Sequence, residues 1–146
     1  MRPRIALPLP LALAFVFNTA AAESGAYKRV EPLLASDRTV IGETLAYPAG
    51  DAKVTSSIVT IQPGEKTAWH KHGAPLYAYI LAGEVTVDYG DKGTKRFPAG
   101  SAFMEAMDHW HRGMNKGTEP ARILAVYLGS DQVDNVIRKP EEQRSN

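Results

Sequence analysis

The stretch "WHKHGAPLYAYILAGEVTV", Trp69 to Val87, decides how this chain is read. It opens with two histidines one residue apart, His70 and His72, and then turns apolar. On a strand, residues i and i+2 face the same side, so the two imidazoles project together. Leu76, Ala78 and Ile80 carry that face onward, while Tyr77 and Tyr79 point the other way. The chain has 4 histidines, and the other two, His109 and His111, form a second pair in "MDHWHRGMN". A lone strand histidine is ordinarily a surface or hydrogen-bonded residue. Two such pairs with no other histidine suit a single metal site, for which imidazole is a common ligand. The third ligand must come from elsewhere in the fold, and His111 is the natural candidate.

Working outward, the chain breaks into short β-rich runs. "TVIGETLAYP" alternates, and "KVTSSIVTIQPG" is rich in β-branched residues before it stops at Pro63-Gly64. "EVTVDYG", "TKRF", "SAFMEA" and "ARILAVYLG" follow, separated by turn chemistry in "YGDKG", "PAG" and "NKGTEP". No stretch after the N-terminus carries a long apolar stripe at helical period. Many short strands at close spacing indicate an all-β sandwich or barrel.

The ends have a different character. "MRPR" precedes the apolar run "IALPLPLALAFVF" and the small-residue stretch "NTAAAES", the layout of a secretory signal peptide cleaved after Ala22. An uncleaved anchor is the alternative, although Pro8 and Pro10 and the short run suit a stable membrane span poorly. The expected organisation is a signal peptide over 1–22, an N-terminal segment over 23–38, a barrel over 39–130 and a polar tail over 131–146. Residues Val133, Val136 and Ile137 of that tail suit one amphipathic turn. A periplasmic or secreted location follows from the signal.

Composition narrows the function classes. Of 146 residues, 44% are hydrophobic and 23% charged, a globular balance with room for one core. The formal charge is +1; without Arg2 and Arg4, 15 basic residues face 16 acidic ones, giving −1. Scattered basic residues and near-zero charge exclude an electrostatic footprint for nucleic acid. No cysteine is present, so an exported form gains no disulfide, and any metal site is limited to nitrogen and oxygen ligands.

The spacing around the histidine pairs resembles the cupin family. In "GEKTAWHKHGAPLYAYILAG", Gly64, His70, His72 and Gly83 fill positions of the first cupin motif. In "GTKRFPAGSAFMEAMDHWHRGMN", Gly93, Pro98, Gly100, His111 and Asn115 fill the second. The likeness runs from about Ile58 to Leu128, and both motifs occur in order. It implies a single-domain jelly-roll barrel with a metal inside its mouth. It also implies His70, His72 and His111 as the ligands. The glutamate of the first motif falls at Leu76, which cannot coordinate a metal.

Glu105 is a visible compensation. It sits two residues after Phe103, where an inward side chain would add a carboxylate as metal ligand or catalytic base. The competing placement is on the rim, paired with a Lys or Arg. His109 is either a support for the ligands or a turn residue. Trp69 and Trp110 are expected to pack, and Phe103, Met104 and Met107 either line the mouth or belong to the core.

Two function classes follow. The first is a dioxygenase-like enzyme acting on a small phenolic or enol-like molecule, with isomerase or lyase chemistry allowed by the same residues. Fe(II) is the favoured ion, and Mn, Ni, Zn or Cu suit the same donors. The second is a non-catalytic binder of metal or a small ligand, serving as sensor, store or accessory protein. A small-molecule partner is expected in both, and a homodimer through an edge strand is compatible with either.

Overall fold

The computed structural model describes residues 29–140. The expected signal peptide over 1–22 lies outside them, as do the last six residues of the chain. The described residues from Pro32 onward belong to one compact unit.

That unit is built from β-strands, with no α-helix among the described residues. In chain order they are β1 Ala52–Ile61, β2 His70–Lys71, β3 Leu76–Ala82, β4 Glu84–Asp88, β5 Thr94–Pro98, β6 Ala102–Met104, β7 Arg112–Met114, β8 Ala121–Ser130 and β9 Ile137–Arg138. Every pairing is antiparallel: β1-β8-β3-β6 form one sheet, β5-β4-β7 a second, and β2-β9 a short third. These antiparallel sheets agree with the jelly roll that the motifs imply.

The alternation read from the sequence sets the faces. Leu76, Ala78 and Ile80 are buried, while Tyr77 and Tyr79 are half-buried on the other side of β3. Opposite them, Phe103 pairs with Ala78 and Ala125 pairs with Ala78 from the other neighbour, so one inward row crosses three strands. Val85, Val87 and Tyr89 continue the core from the second sheet, and the Phe97 ring stacks on Phe103 with centroids 3.8 Å apart. Gly83 turns β3 into β4. Its φ is +69°, and a Cβ there would come within 2.7 Å of the Pro120 carbonyl. Only glycine meets both conditions.

The stretch after Ser130, a polar tail by sequence, turns and runs back along β2. Arg138 pairs with His70 and Ile137 with Lys71. A two-residue strand, and not an amphipathic turn, therefore occupies Ile137–Arg138. Ahead of β1, Glu43 ties the chain to the loop ahead of β7. Its carboxylate accepts the Met107 and Asp108 amides at 2.8 and 3.0 Å.

Candidate metal centre

Strands β2 and β7 place the three histidines. His70 begins β2, and the reciprocal backbone hydrogen bonds between His70 and His111 are both 2.9 Å long. His72 follows two residues later on the same face. The result is a cluster in which one ligand atom each of His70, His72 and His111 lies within 4.8 Å of the others. Their ring centroids are 4.6 to 5.1 Å apart. His72 and His111 are buried and His70 is half-buried.

Each ring is held by its Nδ1. His70 Nδ1 bonds the Ala68 carbonyl at 2.8 Å, His72 Nδ1 the Asn135 carbonyl at 2.9 Å, and His111 Nδ1 the His109 carbonyl at 2.8 Å. A carbonyl only accepts, so Nδ1 must carry the proton in all three rings. In the neutral ring, Nε2 is then a bare acceptor. The Nε2 atoms of His72 and His111 are buried and meet no hydrogen-bond partner among the described residues. A buried acceptor left unpaired costs about 1–3 kcal/mol, and two in one place are an unusual expense. A cation bound by these lone pairs would remove it, and metal-binding histidines are held by their second nitrogen in this same way. The donor set therefore fits a divalent ion.

Electrostatics keeps the imidazoles neutral. Burial pushes His72 down to about 3, offset only in part by its bond to Asn135. Burial also lowers His70 and His111. Neutral imidazole is the form that ligates.

Glu105 is inward, as the first of its two expected placements had it, and only 6% exposed. It lines the same cavity as the three histidines but is not among the atoms of the 4.8 Å cluster. Its Oε1 accepts the Tyr89 hydroxyl at 2.7 Å and the Ala106 amide at 2.8 Å. Both bonds fall on one oxygen, which leaves Oε2 for the cavity. Burial raises Glu105 to about 7, although the two hydrogen bonds pull the other way. Tyr89 is raised as well, by burial and by the Glu105 charge beside it.

The cavity holds about 90 Å³. Its wall is apolar, with Val59, Ile61, Val87, Phe103 and Ile123 among the lining residues, and Tyr127 stands beside His72 with ring centroids 5.6 Å apart. Leu76 is part of this wall, so the position of the absent motif glutamate faces the site with a side chain that ligates nothing. His109 stays out of the cluster. Its Nε2 lies 2.7 Å from the Tyr89 carbonyl and 3.2 Å from Asp91, and it serves His111 through its own carbonyl. Trp69 and Trp110 are half-buried and lie under Arg112 and Lys71 respectively.

Sequence reading missed two participants. Tyr89 carries a faint signal, because it shares parity with the buried Val85 and Val87. Asn135 carries none, because it acts through its backbone carbonyl.

Residues 57–127 match the family model described as a cupin domain. No curated protein matches the chain. Among solved structures, a Lactobacillus farciminis oxalate decarboxylase in complex with formate is similar, at 26% identity and a TM-score of 0.51, over 58% of this chain and 26% of that one. A point mutant of Bacillus subtilis oxalate decarboxylase, at 24% identity and a TM-score of 0.49, covers 58% of this chain and 23% of that one. Another structure of the Bacillus protein, described for its Mn(II) centres, has 22% identity and a TM-score of 0.48 over the same shares. The chain spans about a quarter of the length of these proteins.

Proposed function

Because residues 57–127 form a cupin domain that gathers three imidazoles in its barrel, we propose that the chain binds one divalent metal ion and acts on a small organic molecule there. The ligands are Nε2 of His70, His72 and His111. The observation that carries this reading is the pair of buried, unpartnered Nε2 atoms on His72 and His111. Fe(II) is the ion we favour, and Mn, Ni, Zn or Cu suit the same donors. Such an ion with open positions polarises a bound oxygen group and, as iron, supports oxygen chemistry.

The chain's own residues define the rest. Glu105, buried in the same cavity with Oε1 held by Tyr89 and Ala106, is placed to take a proton from a substrate hydroxyl. The apolar wall excludes water and receives an apolar body. At about 90 Å³ the cavity suits a compact body. Among the described lining residues, Glu105 alone carries a formal charge with the histidines neutral. The described lining holds no Lys or Arg to receive the second carboxylate of a dicarboxylate, so we do not assign this chain the oxalate chemistry of the similar Lactobacillus protein. The reaction we favour is oxygenation or oxidative cleavage of a small enol-like or phenolic molecule; isomerase or lyase chemistry would use the same base.

One observation favours a second reading. Leu76 leaves three neutral donors where the motif supplies a carboxylate as well, which suits a non-catalytic metal or small-ligand binder. Metal analysis of protein purified without an affinity tag, followed by oxygen uptake of the iron-loaded chain with catechols, small diketones and enols, separates the two. About one ion per chain and turnover of at least one compound are expected. Absence of metal binding overturns the proposal, and a bound ion without turnover selects the binder.

The proposal includes export, on the strength of the basic, apolar and small-residue run that ends at Ala22. N-terminal sequencing of the protein from the periplasm or medium should begin at Glu23; a start at Met1 in the cytoplasm rejects it.

A further inference from the structure

We propose that the C-terminal strap, residues 134–139, is a positioning element of the metal centre whose closure is coupled to ion binding. This rests on the metal reading above. The strap contributes no ligand, yet it bonds to successive residues of the ligand strand. The Lys139 amide donates to the Trp69 carbonyl at 2.9 Å, Arg138 and Ile137 pair with His70 and Lys71, and the Asn135 carbonyl takes the His72 Nδ1 proton at 2.9 Å. The strap thereby orients the His72 ring directly and flanks the strand that carries His70.

Two glycines make room for it. A Cβ on Gly73 would come 2.5 Å from the Asp134 carbonyl oxygen, and one on Gly129 would come 2.8 Å from the Asn135 side chain. The first obstacle is backbone, so the strap would have to move. Gly73 has no positive φ, and alanine suits its backbone otherwise.

Little else holds the strap closed. Val136 is 42% and Ile137 37% exposed, Arg138 and Lys139 are exposed, and β9 has two residues. Segments with few buried contacts and short ladders open locally at small cost. With the strap open, His72 Nδ1 loses its acceptor and Trp69, next to His70, loses its bond to Lys139, while His70 keeps its backbone bonds to His111. The ion therefore prefers the closed strap, and by linkage the ion must stabilise that closure.

The test uses Zn²⁺ alone as probe on the full chain, with affinity from calorimetry and amide exchange with and without the ion. Gly73→Ala pushes on the strap from the turn after β2, and Lys139→Pro removes the amide that bonds Trp69. Both should weaken zinc binding by about tenfold or more, within the range for groups that orient ligands. In the wild type, zinc should slow exchange across 135–139, while β3 and β8 stay protected in every form. If the wild type binds no zinc, the metal reading falls. If it binds zinc but both variants bind equally well with the strap exchanging freely, this inference alone falls. Loss of affinity together with loss of protection in β3 and β8 makes the strap part of barrel folding and also overturns it.

Discussion

Tyr89 donates its hydroxyl to Glu105 at 2.7 Å, and both side chains are buried. The pair joins the second sheet to the strand that precedes β7, one step behind the histidines. It gives an inward carboxylate a partner, which an apolar barrel otherwise lacks. Four outcomes follow from this arrangement and from the cluster beside it.

Glu105→Gln should leave about one ion per chain and abolish turnover of any substrate found. The amide keeps the shape but takes no proton, and the nitrogen cluster forms without Glu105. Metal analysis beside the activity assay decides it; lost metal would move Glu105 into the ligand set.

His72→Ala and His111→Ala should each weaken metal binding by about a hundredfold or more, since each removes a ligand outright. His109→Ala, which spares the His109 carbonyl that holds His111, should retain the ion. Calorimetric titration with Zn²⁺ makes the comparison. Equal losses at His109 and His111 would contradict the assignment.

In metal-free protein, acid should be destabilising through His72. Its folded pKa lies near 3 against 6.5 for the free group. Between those values the unfolded chain takes up a proton that the folded chain refuses, so stability falls as pH falls, by about 1.4 kcal/mol per unit at most. Glu105 acts in the opposite sense. Its folded pKa near 7 exceeds 4.5, so its contribution falls as pH rises between them. The two oppose one another from 4.5 to 6.5, and His72 acts without that opposition below 4.5. With chelator present, the urea midpoint of wild type should fall relative to that of His72→Phe as pH falls from 4.5 toward 3. A constant gap over that range would refute the account.

Gly83→Ala should destabilise the fold by about 2 kcal/mol, because alanine meets both a positive φ and the Pro120 carbonyl. Thermal unfolding gives the value. An unchanged midpoint would mean that the β3–β4 turn adapts at no cost.

The sequence was most informative where side-chain parity does the work. The inward row of Leu76, Ala78 and Ile80, the outward tyrosines and the paired projection of His70 and His72 all follow from a two-residue period. The inward reading of Glu105 rests on the same count from Phe103. What stayed hidden depends on backbone atoms or distant chain. Nothing about asparagine marks position 135 as the acceptor for His72, since any residue there has a carbonyl. A polar composition after Ser130 reads as solvated tail, although two residues of it suffice to extend a ladder. Distance was also illegible: parity places Glu105 inside, but not how far from the histidines.

All three Nδ1 protons end on main-chain oxygens, at Ala68, Asn135 and His109. No single side-chain replacement can delete those acceptors. A change of side chain at Ala68, Asn135 or His109 therefore leaves the ring tautomers set, so long as the backbone there stays in place. The apolar side chains of the cavity wall take no part in that control, so they can change without reaching the atoms that fix the rings.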